Sequence, residues 1–157
     1  MSEIKQPKDK TLYNGKLGVS VKYNPAFADT WDRRMEYVQT VIDSEVLKFM
    51  VPYTPMRTGG LMHSATLGTV IGSGEIVYTH PGARYLYYGE IYGPNIPIKE
   101  NGVLVGFFSP PKKQPTERQI QYSKAVHPLA GKLWFERMKA DKLDVLQREA
   151  EKALNKW

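Results

Sequence analysis

The chain has 157 residues, a mass of 17.9 kDa and a formal net charge of +6, and it contains no cysteine. A domain of this length buries roughly 68–70% of its unfolded surface, so it can fold without disulfides, and the lack of cysteine excludes a thiolate metal site and favours folding in a reducing cytosol. The sequence has no run of about 20 apolar residues and no signal-peptide core in Met1–Lys10, so we expect a soluble protein with no membrane partner.

The charge surplus raises the question of an acidic partner such as nucleic acid. Lysines are spread along the sequence, and in the C-terminal segment they alternate with acidic residues. This pattern is more typical of a solvated surface than of a dedicated nucleic-acid site. A basic nucleic-acid-binding module therefore stays an alternative interpretation.

The first fifty residues indicate an arm, a strand and a long helix. Met1–Asn14 is polar and lysine-rich, which predicts a flexible N-terminal arm that becomes ordered on contact with a neighbour. Leu17–Val21 alternates in the manner of a half-buried strand. From Phe27 to Val51 apolar residues recur every three or four positions, which predicts an amphipathic helix. Its apolar stripe contains Trp31, Met35, Val38, Ile42, Val46 and Phe49, and its opposite face, predicted to contact water, contains Asp32, Arg33, Glu36, Gln39 and Asp43.

The next forty residues, up to Gly93, predict a small antiparallel sheet. Thr58-Gly59-Gly60 indicates a turn, because glycine adopts positive φ without steric cost. Leu61–Val70 and Glu75–Thr79 are predicted to be strands joined by a hairpin at 71–74. Four tyrosines then surround Glu90 in the sequence, at positions 85, 87, 88 and 92.

The second half is rich in proline and ends in a helical pattern. Gly93–Glu100 and Ser109–Lys124 are predicted to be exposed loops, with a strand at Gly102–Phe108 between them. Pro128 suits a first helical turn, and 128–157 is predicted to be a long C-terminal helix. The sequence therefore predicts one α+β domain over 15–157, with a small antiparallel β-sheet, a long helix before it, extended loops and the C-terminal helix.

No motif in the sequence indicates catalysis, a cofactor or a metal. The three histidines, His63, His80 and His127, lie far apart and outside any ligand-spaced motif. A small nuclease-type enzyme that uses one of them remains an alternative. The tyrosines are more typical of a protein contact surface than of a base-stacking platform, because only Arg84 lies near them in the sequence.

Two motifs resemble those of a known family. The pattern Pro55-Met56-Arg57-Thr58-Gly59-Gly60-Leu61, followed by Tyr85-Leu86-Tyr87-Tyr88-Gly89-Glu90, is similar to the minor capsid, or neck, proteins of siphon-tailed bacteriophages. The resemblance spans about Trp31 to Gly93. It implies a structural virion protein, made in the host cytoplasm and located at the head–tail junction, with no enzymatic activity and no cofactor.

The resemblance also implies partners. These are copies of the chain in a ring around the DNA channel, adjacent neck, portal-side or tail proteins, and genomic DNA that passes through without sequence-specific contact. A tail terminator or tail-completion protein is the alternative within the structural class. The predicted subunit-interface residues are Arg57, Thr58, Gly59, Tyr85, Tyr88, Glu90, Lys112, Lys113 and Trp157.

Overall fold

The computed structural model describes residues 4–156. These residues form an α+β fold, as predicted. The helices are α1 (Phe27–Met50), α2 (Gly60–Gly68), α3 (Ala83–Tyr88) and α4 (Trp134–Leu154), and Val51–Tyr53 forms a 3₁₀ turn. The strands are β1 (Lys10–Asn14), β2 (Leu17–Val21), β3 (Glu90–Gly93), β4 (Ile96–Glu100), β5 (Val103–Phe108) and β6 (Gln114–Gln119).

The chain divides into two compact units. The first contains the residues up to Glu45, the turn Val70–Glu75 and the residues from Asp144 onward, and the second contains Val46–Thr69 and Ile76–Leu143. The strands pair in three two-stranded antiparallel sheets, β1 with β2, β3 with β6, and β4 with β5. The predicted strand Leu17–Val21 is confirmed, but all five of its residues are exposed, so it is not half-buried as predicted. Its partner Lys10–Asn14 lies in the segment predicted to be a flexible arm.

Helix α1 ends where proline terminates the predicted pattern. Its first residue matches the prediction and its last, Met50, is one residue earlier than predicted. Of the predicted stripe, Val46 is buried, whereas Trp31 and Phe49 are half-buried. Met50, which the stripe omitted, is only 2% exposed.

Asp43 corrects the prediction for the opposite face of α1, because its side chain is buried and not exposed to water. Its Oδ2 accepts hydrogen bonds from the backbone N–H groups of Gly72 at 2.8 Å and Gly74 at 3.1 Å. Its Oδ1 accepts one from Gln39 Nε2 at 2.7 Å. The carboxylate therefore fixes the turn at 70–75 to α1 in the first unit.

The core of the second unit is centred on Trp134. Its ring meets those of Tyr78 and Tyr87 with centroids 5.4 and 4.8 Å apart. Polar bonds support these aromatic contacts: Tyr53 Oη donates to Asp141 Oδ2 at 2.7 Å, and the Tyr87 carbonyl accepts from the Leu133 N–H at 2.8 Å. The buried apolar side chains of this unit are Val46, Met50, Tyr53, Leu61, Ala65, Ala83, Ala130, Trp134 and Met138.

The predicted strand Leu61–Val70 is wrong, because most of this segment is helix α2. The buried residues of α2 are Leu61, Ser64 and Ala65, a spacing of three and four that places them on one helical face. The turn predicted at 71–74 is present, but the segment after it forms no strand, so the predicted strand Glu75–Thr79 is also wrong. Gly68 allows that segment to approach closely, since a Cβ there would lie 2.7 Å from the Val77 carbonyl oxygen.

The two predicted loops of the second half are also wrong in part. Gly93–Glu100 contains strand β4, and Ser109–Lys124 contains strand β6. Helix α4 begins at Trp134 and not at 128, because Leu133 adopts a positive φ of 51° directly before it. Trp157 lies outside the described residues.

Candidate assembly surface

The turn at Arg57–Gly60 leads into helix α2. Gly59 is the residue before the helix, with φ +80°, a left-handed conformation that favours glycine. Arg57 and Thr58 are exposed, whereas Gly59 is buried. The predicted turn is thus present, but it orients a helix and not a strand.

Substitution of Gly59 tests this conformation. Gly59→Ala should lower the free energy of unfolding by about 1–2 kcal/mol, because a Cβ at positive φ is strained. Gly60→Ala is the matched control: Gly60 has no positive φ, and a Cβ there meets its nearest atom, Thr58 Oγ1, at 3.7 Å. Urea denaturation of both variants measures the difference, and equal stabilities would contradict the strain argument.

A cleft of about 600 Å³ lies beside this turn. It is lined by 55–61 together with His80, Leu86 and 120–123. Tyr122 closes one side, and its Oη donates to the Leu86 carbonyl at 2.6 Å. Burial raises the pKa of Tyr122, so this phenol stays a neutral donor at physiological pH.

The histidines take part in local backbone contacts. His80 Nδ1 accepts from the Gly82 N–H at 3.0 Å, and His127 Nδ1 lies 2.8 Å from the Thr54 carbonyl oxygen. His63 packs near Gly59, where an added Cβ would lie 3.5 Å from its ring. Within residues 4–156 no three histidine, aspartate or glutamate side chains cluster as a metal site would require.

The tyrosine segment divides between the core and the surface. Tyr87 packs edge-on against Trp134, and burial raises its pKa. Tyr85 and Tyr88 are 45% and 53% exposed. Gly89, with φ +76°, ends helix α3 directly before Glu90. The sequence could not distinguish these orientations, because α3 is only six residues long.

A second cleft, of about 470 Å³, brings three of the predicted interface residues together. Tyr85, Glu90 and Lys113 line it, with Tyr92 and the Ser109–Pro111 segment. Tyr92 Oη donates to Glu90 Oε2 at 3.0 Å, and this bond to a carboxylate raises the pKa of Tyr92. Lys113 Nζ donates to Asn95 Oδ1, while Lys112 is exposed.

About half of the exposed large apolar residues lie on two hairpins that the sequence analysis did not select as an interface. In β1–β2, pairing places Leu12 opposite Val19 and Asn14 opposite Leu17, so one face is mainly apolar, with Lys10 and Asn14 at its ends, and all ten residues are exposed. In β4–β5 every residue except Gly106 is exposed. The exposed large apolar side chains of the two hairpins are Leu12, Tyr13, Leu17, Val19, Val21, Ile96, Ile98, Val103, Leu104, Val105, Phe107 and Phe108.

Comparison with protein families gives one decisive finding. The family described as "Minor capsid protein" matches residues 19–154, which is most of the chain. The chain belongs to the minor capsid protein family. Comparison with curated proteins gave no match, and comparison with solved structures gave none either.

Membership in this family makes the chain a structural component of the virion. The match contains the two clefts and the β4–β5 hairpin, as well as strand β2 apart from its first two residues. In the part of the minor capsid protein that the structure describes, no helix has both the length and the apolar character needed to cross a membrane.

Proposed function

We propose that this minor capsid protein is a neck protein, which forms a ring of identical copies around the DNA channel at the head–tail junction of a siphon-tailed phage and helps to join the head to the tail. The observation that carries this proposal is the exposure of apolar side chains on two hairpins of a structural virion protein. Exposed apolar side chains that cluster on one element, as they do on each hairpin, are typical of protein–protein contact sites.

The two hairpins suit assembly because they cannot be stable by burial within their own sheets. A two-stranded hairpin in water is marginal, and a third strand or a packed face usually stabilises it. In β1–β2 the apolar face contains Leu12, Leu17, Val19 and Val21, which are 42–78% exposed. In a ring, a neighbouring subunit packs against these side chains and buries them.

The predicted interface residues fit this function as a second contact region. Arg57, Thr58 and Gly59 line the first cleft, and Tyr85, Glu90 and Lys113 line the second. Ile120 lines both clefts, so the two lie next to each other in the second unit. We assign them, with the exposed Tyr88 and Lys112 and with Trp157, to contacts with neighbouring subunits or adjacent neck, portal-side or tail proteins.

The net charge of +6 suits a protein that surrounds DNA without reading its sequence. Lysine and arginine side chains contact phosphates by charge, and such contacts are independent of sequence and weaken with added salt. The ring would bind passing DNA weakly.

Tyr88 tests whether the second contact region functions in assembly. Tyr88→Ala should fold with near-normal stability and enter particles poorly, because tyrosine anchors in an interface often contribute 2 kcal/mol or more, about 30-fold in affinity. Leu143→Ala is the control, since Leu143 is an apolar residue that is 42% exposed and lies outside the clefts and the two hairpins. Western blots of purified particles measure incorporation. Equal incorporation of both variants would remove Tyr88 from the interface.

Deletion of the gene tests the function itself. Phage that lack this chain should accumulate DNA-filled heads and separate tails, and the wild-type chain supplied from a plasmid should restore joined particles. Joined, infectious particles without the chain would contradict a head–tail joining function.

A further inference from the structure

Every strand in the described part of the chain has one unpaired edge, because residues 4–156 form three sheets of two strands each. An unpaired strand edge presents free backbone N–H and C=O groups that can pair with another chain. Natural proteins protect such edges with charged residues or proline. The distribution of these protecting residues therefore indicates which edges are meant to stay free of partners.

Four of the six described strands carry such residues. Lys10 lies in β1 and Glu90 in β3. The other two protected strands are β4, with Pro97, Lys99 and Glu100, and β6, with Pro115, Glu117 and Arg118. Strands β2 and β5 contain neither a charged residue nor a proline. Each exposed hairpin thus has one protected strand and one unprotected strand.

The unprotected strands are also apolar and open. Val103, Leu104, Val105, Phe107 and Phe108 of β5 are each at least 50% exposed. Since an aromatic side chain has about 150–250 Å² of surface, β5 exposes on the order of 400 Å² and β2 roughly 300 Å² of apolar area. Together they give about 700 Å² for both partners, which is less than the roughly 1,600 Å² total of a standard interface, so backbone hydrogen bonds along the paired edges must contribute to the contact.

We propose that β2 of one copy pairs edge to edge with β5 of a second copy, forming a four-stranded sheet in the order β1-β2-β5-β4 across the subunit boundary. This proposal rests on the proposed ring. Each copy contributes one edge of each kind, so the contact is head-to-tail and can close into a ring, whereas self-pairing of either edge gives a closed dimer.

Charge also favours the mixed pairing for β2. Lys16 and Lys22 flank β2 and Lys10 lies on its partner, so self-pairing of β2 would bring like charges together. Strand β5 has no charged residue, and its partner β4 has one charge of each sign, Lys99 and Glu100, so pairing of β2 with β5 avoids this repulsion.

Cysteine cross-linking tests the pairing, because the natural chain has no cysteine. Ser20→Cys places a thiol on β2, and Gly106→Cys places one on β5, where a Cβ meets no atom within 4 Å. Both variants are supplied together during infection, and purified particles are treated with a bismaleimide. In the proposed sheet β2 and β5 lie about 4.8 Å apart and the outer strands about 14 Å apart, so a reagent with an intermediate reach is used.

The expected product is a covalent dimer of one Ser20→Cys subunit and one Gly106→Cys subunit. The amount of this dimer should be severalfold higher than random pairing gives. Thr11→Cys with Ile98→Cys is the matched control, because these residues lie opposite Ser20 and Gly106 on the protected strands. That control pair should cross-link weakly. Both cysteine pairs are first checked for normal incorporation.

Other products would overturn the pairing. Dominant homodimers would show that each edge pairs with itself, and cross-links to a different virion protein would show that another chain covers the edge. Normal particles without cross-linked dimer would overturn the pairing but leave the proposed function intact. Absence of the wild-type chain from particles would instead contradict the proposed function.

Discussion

Trp134→Ala should lower the free energy of unfolding by about 3–5 kcal/mol, the loss expected when a large aromatic side chain leaves a cavity in a core. Trp134 is 1% exposed and contacts the rings of both Tyr78 and Tyr87. Urea denaturation followed by circular dichroism measures the loss. If the alanine variant does not fold, Trp134→Phe should retain part of the contact and show a smaller loss.

Trp31→Ala is the matched control for this substitution. Trp31 is the same residue type but is half-buried on α1, with its ring 6.1 Å from that of Phe27. We expect Trp31→Ala to lower the free energy of unfolding clearly less than Trp134→Ala does, since the loss depends on buried area and cavity size. Equal losses at the two positions would mean that Trp134 is not the centre of the second unit's core.

Asp43→Asn should lower the free energy of unfolding by about 3 kcal/mol. The carboxylate accepts three hydrogen bonds, and bonds to charged groups contribute about 1.5–3 kcal/mol each, of which an amide retains a part. Hydrogen exchange at the Gly72 and Gly74 amides gives a local measurement, and we expect their protection to fall.

Glu36→Gln is the control for Asp43, because Glu36 is an exposed acid on the same helix. Its effect should stay within about 0.5 kcal/mol, as for other surface substitutions. If the Gly72 and Gly74 amides exchange rapidly in the wild-type chain, the carboxylate does not hold the turn.

The sequence analysis missed one strand of each exposed hairpin: it assigned β1 to a flexible arm and β4 to a loop. Each hairpin has a two-residue turn flanked by strand-forming residues. These turns are Gly15-Lys16, with φ +62° at Gly15, and Asn101-Gly102, with φ 49° and 82°. The Asn-Gly pair is a strong hairpin signal, and it could have predicted β4–β5 from the sequence alone. Proline at 97 instead favoured a loop, because proline in a strand is confined to edges and irregular sites.

Other features depend on contacts that are distant in the sequence. Asp43 bonds to backbone groups 29 and 31 residues away, so its polar side chain was assigned to water. Leu61–Val70 contains residues suited to either a strand or a helix, and burial of Leu61 with Ser64 and Ala65 selects the helix. Helix α1, by contrast, was predicted correctly because its apolar pattern repeats over 24 residues.

The candidate site, too, could be predicted from the sequence only in part. The turn at Gly59 and the tyrosine-rich segment could be located from glycine and tyrosine spacing, but which tyrosines are exposed could not. Their grouping into two adjacent clefts required the fold, because Lys113 and Ile120 come from the β6 region. Which of them contact neighbouring subunits stays a prediction.

The central claim, a ring at the head–tail junction, is tested most directly by the position of this chain in an intact virion. Electron cryomicroscopy of wild-type particles should place its two long helices and its exposed hairpins in a closed ring around the channel between head and tail. Density for the chain within the head shell, or in the tail away from the junction, would contradict the account.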